Sequence, residues 1–139
     1  MIQYGINTFI WASPFQTKDL HYLDHAKALG VDLVEVPIES AGDVDYGAAA
    51  EAYARTGLAC TTGAVMGAGR DPSHPDEKIQ QAGIAYLKHC IDGTARMGGK
   101  FVVGPLYAAV DASGSRPRSS AWLTWRWSHL TASRPASST

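Results

Sequence analysis

The sequence lacks the features that would take it outside an ordinary aqueous globular class. It has no apolar run of 18 residues, which argues against a membrane-spanning helix. Its two cysteines, Cys60 and Cys90, are too few for a disulfide framework, so a reducing, cytoplasmic setting is expected. The start, Met1-Ile2-Gln3-Tyr4-Gly5, has neither the basic residues nor the apolar stretch of a secretory signal. A formal net charge of −1 gives no electrostatic reason to expect nucleic acid or a membrane surface as partner. What is present is ordinary: 139 residues, 45% hydrophobic and 18% charged, enough for one domain with a real core.

Two periodicities alternate along the first 111 residues. Ile2 to Trp11 is an apolar run with β-branched and aromatic residues, as in a strand buried on both faces. Lys18 to Leu29 follows with Leu20, Leu23, Ala26 and Leu29 spaced by three, predicting a helix that Gly30 ends. Val31 to Ile38 alternates and predicts a second strand. Asp43 to Arg55 is Ala-rich and helix-favouring, with a stop at Gly57, and Leu58 to Val65 predicts a third strand. A Gly-rich loop, Met66 to Arg70, and a Pro-containing segment lead to a long helix, Pro75 to Met97. Its apolar side is expected to carry Ile79, Ala82, Tyr86, Leu87, Cys90 and Ile91. Gly98-Gly99 closes it, and Lys100 to Val103 begins a fourth strand that reaches Gly104-Pro105.

The resulting β-α-β-α-β-α-β order, repeating about every 30 residues, implies a parallel sheet with right-handed crossovers. Four such strands suit either an open doubly wound sheet or part of a (β/α)8 TIM barrel. The first strand–helix junction has no Gly-x-Gly-x-x-Gly cradle, which weighs against a dinucleotide fold.

Residues 112–139 break the pattern. Residues 1–111 hold all 13 acidic and 8 of the 12 basic residues, a formal −5. Residues 112–139 hold four Arg, eight Ser, three of the four Trp and no acid, a formal +4. This Ser/Arg/Trp-rich tail is expected to be disordered and non-homologous to the body, and its composition fits a frameshifted or otherwise non-native end. A nucleic-acid arm is disfavoured, since four Arg without a folded platform are a weak electrostatic footprint.

Three words, in order, carry a resemblance: Gly5-Ile6-Asn7-Thr8-Phe9-Ile10-Trp11, Val34-Glu35-Val36-Pro37-Ile38-Glu39 and Val103-Gly104-Pro105-Leu106-Tyr107. With Gly83-Ile84-Ala85-Tyr86-Leu87-Lys88 and Ile91-Asp92, the stretch from residue 1 to about 110 resembles the D-tagatose 3-epimerase and D-allulose (psicose) 3-epimerase group. That group lies within the xylose-isomerase-like sugar isomerase/epimerase barrels. The resemblance implies the N-terminal half of a TIM barrel, a small ketose substrate and epimerisation at C3 through an enediolate. It also implies a divalent metal (Mn²⁺, Co²⁺ or Mg²⁺), held in such enzymes by two Glu, one Asp and one His from strands five to eight. None of those ligands, nor either proton-moving glutamate, is matched in this chain, so no catalytic or metal residue is assigned and an isolated chain is expected to be inactive. Inosose dehydratase-like and hydroxypyruvate isomerase-like activities are alternatives within the fold. A non-catalytic half-barrel is the alternative outside it, associating with itself through unpaired sheet edges.

Barrel sites form at the C-terminal ends of strands. The expected substrate-binding residues are therefore Asn7, Trp11, Glu35, Met66, Gly104 and Tyr107. By resemblance, Asn7 and Tyr107 line the sugar pocket and Trp11 shapes its floor. Trp11 and Glu35 have bland counterparts: Trp11 suits core packing, and Glu35 suits a structural hydrogen bond inside the barrel, which a buried carboxylate requires. Met66 to Arg70 reads as a phosphate-gripping loop or, better, as a flexible lid without P-loop spacing. His21 and His25, at i and i+4 but outside an HExxH context, are expected to be exposed, and Cys60 to be a core thiol.

Overall fold

The computed structural model describes residues 2–110; the 112–139 tail and the expectations placed on it lie outside the described residues. Four strands, β1 (Gly5–Asn7), β2 (Leu33–Pro37), β3 (Ala59–Gly63) and β4 (Val102–Val103), form one sheet in sequence order, every neighbouring pair parallel. Three helices, α1 (Tyr22–Ala28), α2 (Tyr46–Thr56) and α3 (Glu77–Arg96), make the crossovers. A parallel sheet that adds strands in chain order with every helix on one face is the arrangement of a (β/α)8 barrel.

The alternation in β2 sets the two faces. Val34 and Val36 are fully buried and face the helices, where they pack with Phe15, Leu23, Ala26 and Ala49. Two polar ties add direction to that layer. The Tyr53 hydroxyl of α2 donates to the Val34 carbonyl at 3.0 Å, and Thr62 of β3 meets Thr94 of α3 at 2.5 Å. Leu33, Glu35 and Pro37 occupy the opposite face, in register with Ala59, Thr61 and Gly63 of β3.

Local chemistry moves several predicted boundaries. The first strand is shorter than the apolar run, because the Asn7 side chain accepts the Phe9 N–H at 2.8 Å and turns Thr8–Ile10 into a 3₁₀ turn. The spacing-by-three of the next segment also has a 3₁₀ component, with Thr17–His21 in that form ahead of α1. Leu29, the C-cap residue just past α1, falls off that stripe and is 56% exposed. α2 starts later than expected: Asp45 is its N-cap and accepts from the Gly47 and Ala48 N–H groups. Asp76 does the same for α3 through Lys78. Gly57 closes α2 with φ +67°, as a left-handed cap requires.

The buried side of α3 also differs from the apolar count. Ala82 and Ile91 are exposed, whereas Gly83, Tyr86, Cys90, Gly93 and Thr94 face inward. The two glycines are there for contact: a Cβ on Gly83 would stand 2.7 Å from the Pro72 nitrogen, and one on Gly93 would stand 2.7 Å from the Tyr46 ring.

Candidate functional site

The C-terminal ends of the four strands surround an open cavity of about 540 Å³, within the usual range for a small-molecule site. Its floor is polar. Asn7 and Glu35 are in register across β1 and β2, and the Asn7 amide donates to the Glu35 carboxylate at 2.5 Å. Since the Asn7 carbonyl oxygen already accepts the Phe9 N–H, the amide is held at both ends. Next in register lies Thr61, buried and outside the cavity lining, with a hydroxyl oxygen that has no hydrogen-bond partner among the described residues.

The cavity's rim comes from the loops after β3 and β4, and these are tied together. Met66 donates its N–H to the Pro105 carbonyl and accepts from the Val110 N–H, while the Ala109 N–H donates to the Asp71 carboxylate. Asp71 is almost fully buried and also takes the Ser73 N–H and hydroxyl. The segment read as a lid is thus anchored. Gly104 has φ +131°, and any Cβ there would collide with the Ala64 carbonyl oxygen, so only glycine lets β4 leave the sheet at this point.

Arg70 crosses the rim. It donates to the Glu39 carbonyl at 2.9 Å and to the Val65 carbonyl at 3.3 Å, and its guanidinium lies 3.7 Å from the centre of the Tyr86 ring. Tyr86 in turn donates to the Ile38 carbonyl at 2.6 Å. Burial pushes the Tyr86 phenol up to about 12 against the opposing pull of Arg70, so it stays neutral and serves as a hydrogen-bond donor. Burial likewise pushes the Cys60 thiol up to about 11, which removes it as a thiolate nucleophile and agrees with a core role.

Of the residues expected to bind substrate, Asn7, Glu35, Met66 and Gly104 come together on the cavity wall. Trp11 and Tyr107 are absent from that lining. Trp11 instead stacks on Tyr22 of α1 at 5.1 Å with His25 against its edge, and Tyr107 is 73% exposed. Arg70, Glu39 and Tyr86 line the cavity without having been selected from sequence. Their contacts bridge 31 residues or more for Arg70–Glu39 and Tyr86–Ile38, a separation that no local pattern carries. His21 and His25 are exposed. Among the described residues no three His, Cys, Asp or Glu side chains converge as a metal site, and no helix is long and apolar enough to cross a membrane. The donor set of the described residues therefore does not fit the divalent metal that the resemblance implies.

No family model matches the chain. A ketose 3-epimerase from Arthrobacter globiformis is 27% identical over 107 residues, which is 76% of this chain and 37% of that protein. Among solved structures, an L-ribulose 3-epimerase superposes with a TM-score of 0.72 at 30% identity, over 78% of this chain and 37% of its own. A D-allulose 3-epimerase from Methylomonas sp., in complex with D-allulose, gives a TM-score of 0.73 at 19% identity, over 78% and 38%. The chain thus spans less than two-fifths of the length of each of these relatives. The fold is that of part of an epimerase TIM barrel, and the similarity falls on the part of the chain that the sequence pattern separates from its tail.

Proposed function

We propose that this chain, similar to ketose 3-epimerases in sequence and in fold, forms the Asn7–Glu35 wall of a ketose-binding site at the C-terminal end of a barrel sheet. The observation that carries the reading is that in-register pair on the floor of an open cavity, at the strand ends where barrel enzymes bind. Glu35 accepts from Asn7 through one oxygen and retains acceptor capacity for a sugar hydroxyl. Asn7, fixed by Phe9, keeps that carboxylate aimed along the wall. Met66 and Gly104 shape the adjoining surface, the first with an apolar side chain and the second by letting backbone approach backbone.

Epimerisation at C3 through an enediolate takes a proton from one face of the sugar and returns it to the other. The described cavity residues belong to one wall, so they bind and orient; the groups that move the proton lie outside them. A divalent metal would polarise the carbonyl and steady the enediolate, and it too needs donors from outside the described residues. Ligand-observed NMR with D-fructose and D-allulose tests the reading. Binding that weakens at least several-fold in Asn7→Ala and in Glu35→Gln supports it; binding unaltered in both variants refutes it. The unassisted chain is expected to give no C3 exchange with solvent deuterium.

A second reading, self-association, rests on a separate observation. Among the described residues β1 and β4 each have one unpaired edge, and Phe101, next to β4, is 65% exposed. Open edges recruit further strands. Light scattering should show dimers or larger species, and a monodisperse monomer at micromolar concentration counts against it.

A further inference from the structure

Arg70 ties the rim together without using all of its donors. Its two backbone contacts use two of the five N–H donors of a guanidinium, leaving three. Among the described residues it has no carboxylate within salt-bridge distance: Asp24 with Arg55 makes the ion pair found there. The nearer acidic side chain in sequence, Glu39, offers Arg70 its carbonyl, while its carboxylate accepts from Ser13 at 3.1 Å. A half-buried cation with no counter-ion among the described residues therefore lines the cavity, and such a group is stabilised by an anionic partner.

The surroundings leave room for one. Gly67 also lines the cavity, and a Cβ built on it would lie 4.0 Å from the Arg70 Nε with no nearer neighbour. Neither Gly67, Ala68 nor Gly69 donates a backbone hydrogen bond to another described residue. The rim thus offers a planar cation beside a side-chain-free position, with the carboxylate of Glu35 further down on the sheet floor. That separation of charge along one cavity suits a ligand with hydroxyls at one end and an anion at the other.

We propose that Arg70 forms an anion subsite at the rim and that the ketose taken by this site carries a phosphate ester, an inference that rests on the ketose reading above. A planar guanidinium engages a phosphate through paired N–H groups, which a neutral hydroxymethyl end cannot match. Glu35 and Glu39 repel an anion placed near them, so the phosphate must lie on the Gly67 side of Arg70. The attraction, being partly exposed to solvent, must weaken with salt.

The test uses the complete 139-residue chain and three probes: D-fructose, D-fructose 6-phosphate and inorganic phosphate, titrated by calorimetry or ligand-observed NMR. The phosphate ester should bind roughly tenfold or more tighter than the free sugar at low salt. Two variants probe the cause. Arg70→Met removes the cation; Gly67→Asp leaves the Arg70 contacts to Glu39 and Val65 in place but supplies an internal carboxylate beside its Nε. In both, the ratio of ester to free-sugar affinity should fall to near one, whereas a purely structural loss would weaken both ligands together. Equal binding of ester and free sugar overturns the subsite and leaves the ketose reading standing. Inorganic phosphate binding as tightly as the ester, and depending on Arg70, supports the anion subsite but overturns the ketose reading beneath it. Failure of all three probes to bind overturns both.

Discussion

Replacing Gly83 with Ala sets two well-characterised effects against each other at one position. Gly83 lies inside α3, where alanine is favoured over glycine by about 1 kcal/mol because less backbone entropy is lost on folding. Against this, the added Cβ would stand 2.7 Å from the Pro72 nitrogen and 2.9 Å from both the Asp71 carbonyl carbon and the Pro72 Cδ. Two of these are backbone atoms, and the third is fixed in a proline ring, so no side-chain rotation relieves the overlap. The helix and the 71–72 segment must move apart, and overpacking of this kind costs about 1–3 kcal/mol. With all three contacts rigid the cost lies in the upper part of that range, about 2–3 kcal/mol, so overpacking wins by about 1–2 kcal/mol. Gly47→Ala, in the first turn of α2, is the matched comparison. There the nearest atom is a carboxylate oxygen of Asp45 at 3.2 Å, which can shift, so propensity dominates and stability is kept or raised slightly. Urea unfolding monitored by circular dichroism measures both. The displaced segment carries Asp71 and adjoins Arg70, so Gly83→Ala should also loosen the cavity rim. If Gly83→Ala proves as stable as the parent chain, the proposed close packing of α3 on that loop is wrong.

Asp71→Ala deprives the Ser73 N–H, the Ser73 hydroxyl and the Ala109 N–H of their acceptor, and should cost about 3 kcal/mol in urea unfolding; a loss below about 1 kcal/mol would mean that the rim is held by other contacts. Thr94→Val leaves the buried Thr62 hydroxyl unsatisfied and should cost about 1–3 kcal/mol, while adding Thr62→Val should recover part of it, as a double-mutant cycle would show. Alkaline pH should destabilise the fold. Burial raises Cys60 from 9.0 to about 11 and Tyr86 from 10.0 to about 12, so the unfolded chain releases these protons first and stability falls as pH rises from about 9 toward 12. Thermal melts across that range should show the decline, and a flat profile would contradict it. Cys60 should correspondingly react slowly with thiol reagents at pH 8 compared with a small-molecule thiol.

The fold was legible wherever one local signal governed the outcome. The alternation of Val34, Glu35 and Val36 gives both the strand and its faces, and the glycines at 30 and 57 mark real left-handed stops. Legibility fails where a side chain competes with its own backbone. The apolar run through Trp11 reads as strand on hydrophobicity, yet Asn7 caps Phe9 and coils the chain immediately after Asn7. It fails again where absence of a side chain is the requirement. Gly83 and Gly93 add nothing to an apolar stripe, so the count chose Ala82 and Ile91, although close packing puts the glycines inward.

The site divides along the same physical line. Glu35 announced itself because a carboxylate in an apolar strand needs a partner, and the register with Asn7 supplies one. Trp11 gave no such constraint: an aromatic ring is satisfied equally by a sugar or by another ring, and Tyr22, one helix on, is close enough to take it. Arg70 was legible only as part of a Gly-rich loop. Its placement depends on the carbonyls of Glu39 and Val65, two residues beyond the ends of β2 and β3, and on Tyr86 of α3. A strand pattern predicts which side chains face the floor of such a cavity, because alternation is local. The rim is assembled from loops whose positions follow from contacts between them, here Met66 with Pro105 and Asp71 with Ala109. The rim is therefore the part of this candidate site that only the folded chain exposes, and Arg70→Met tests whether it selects among ligands as proposed.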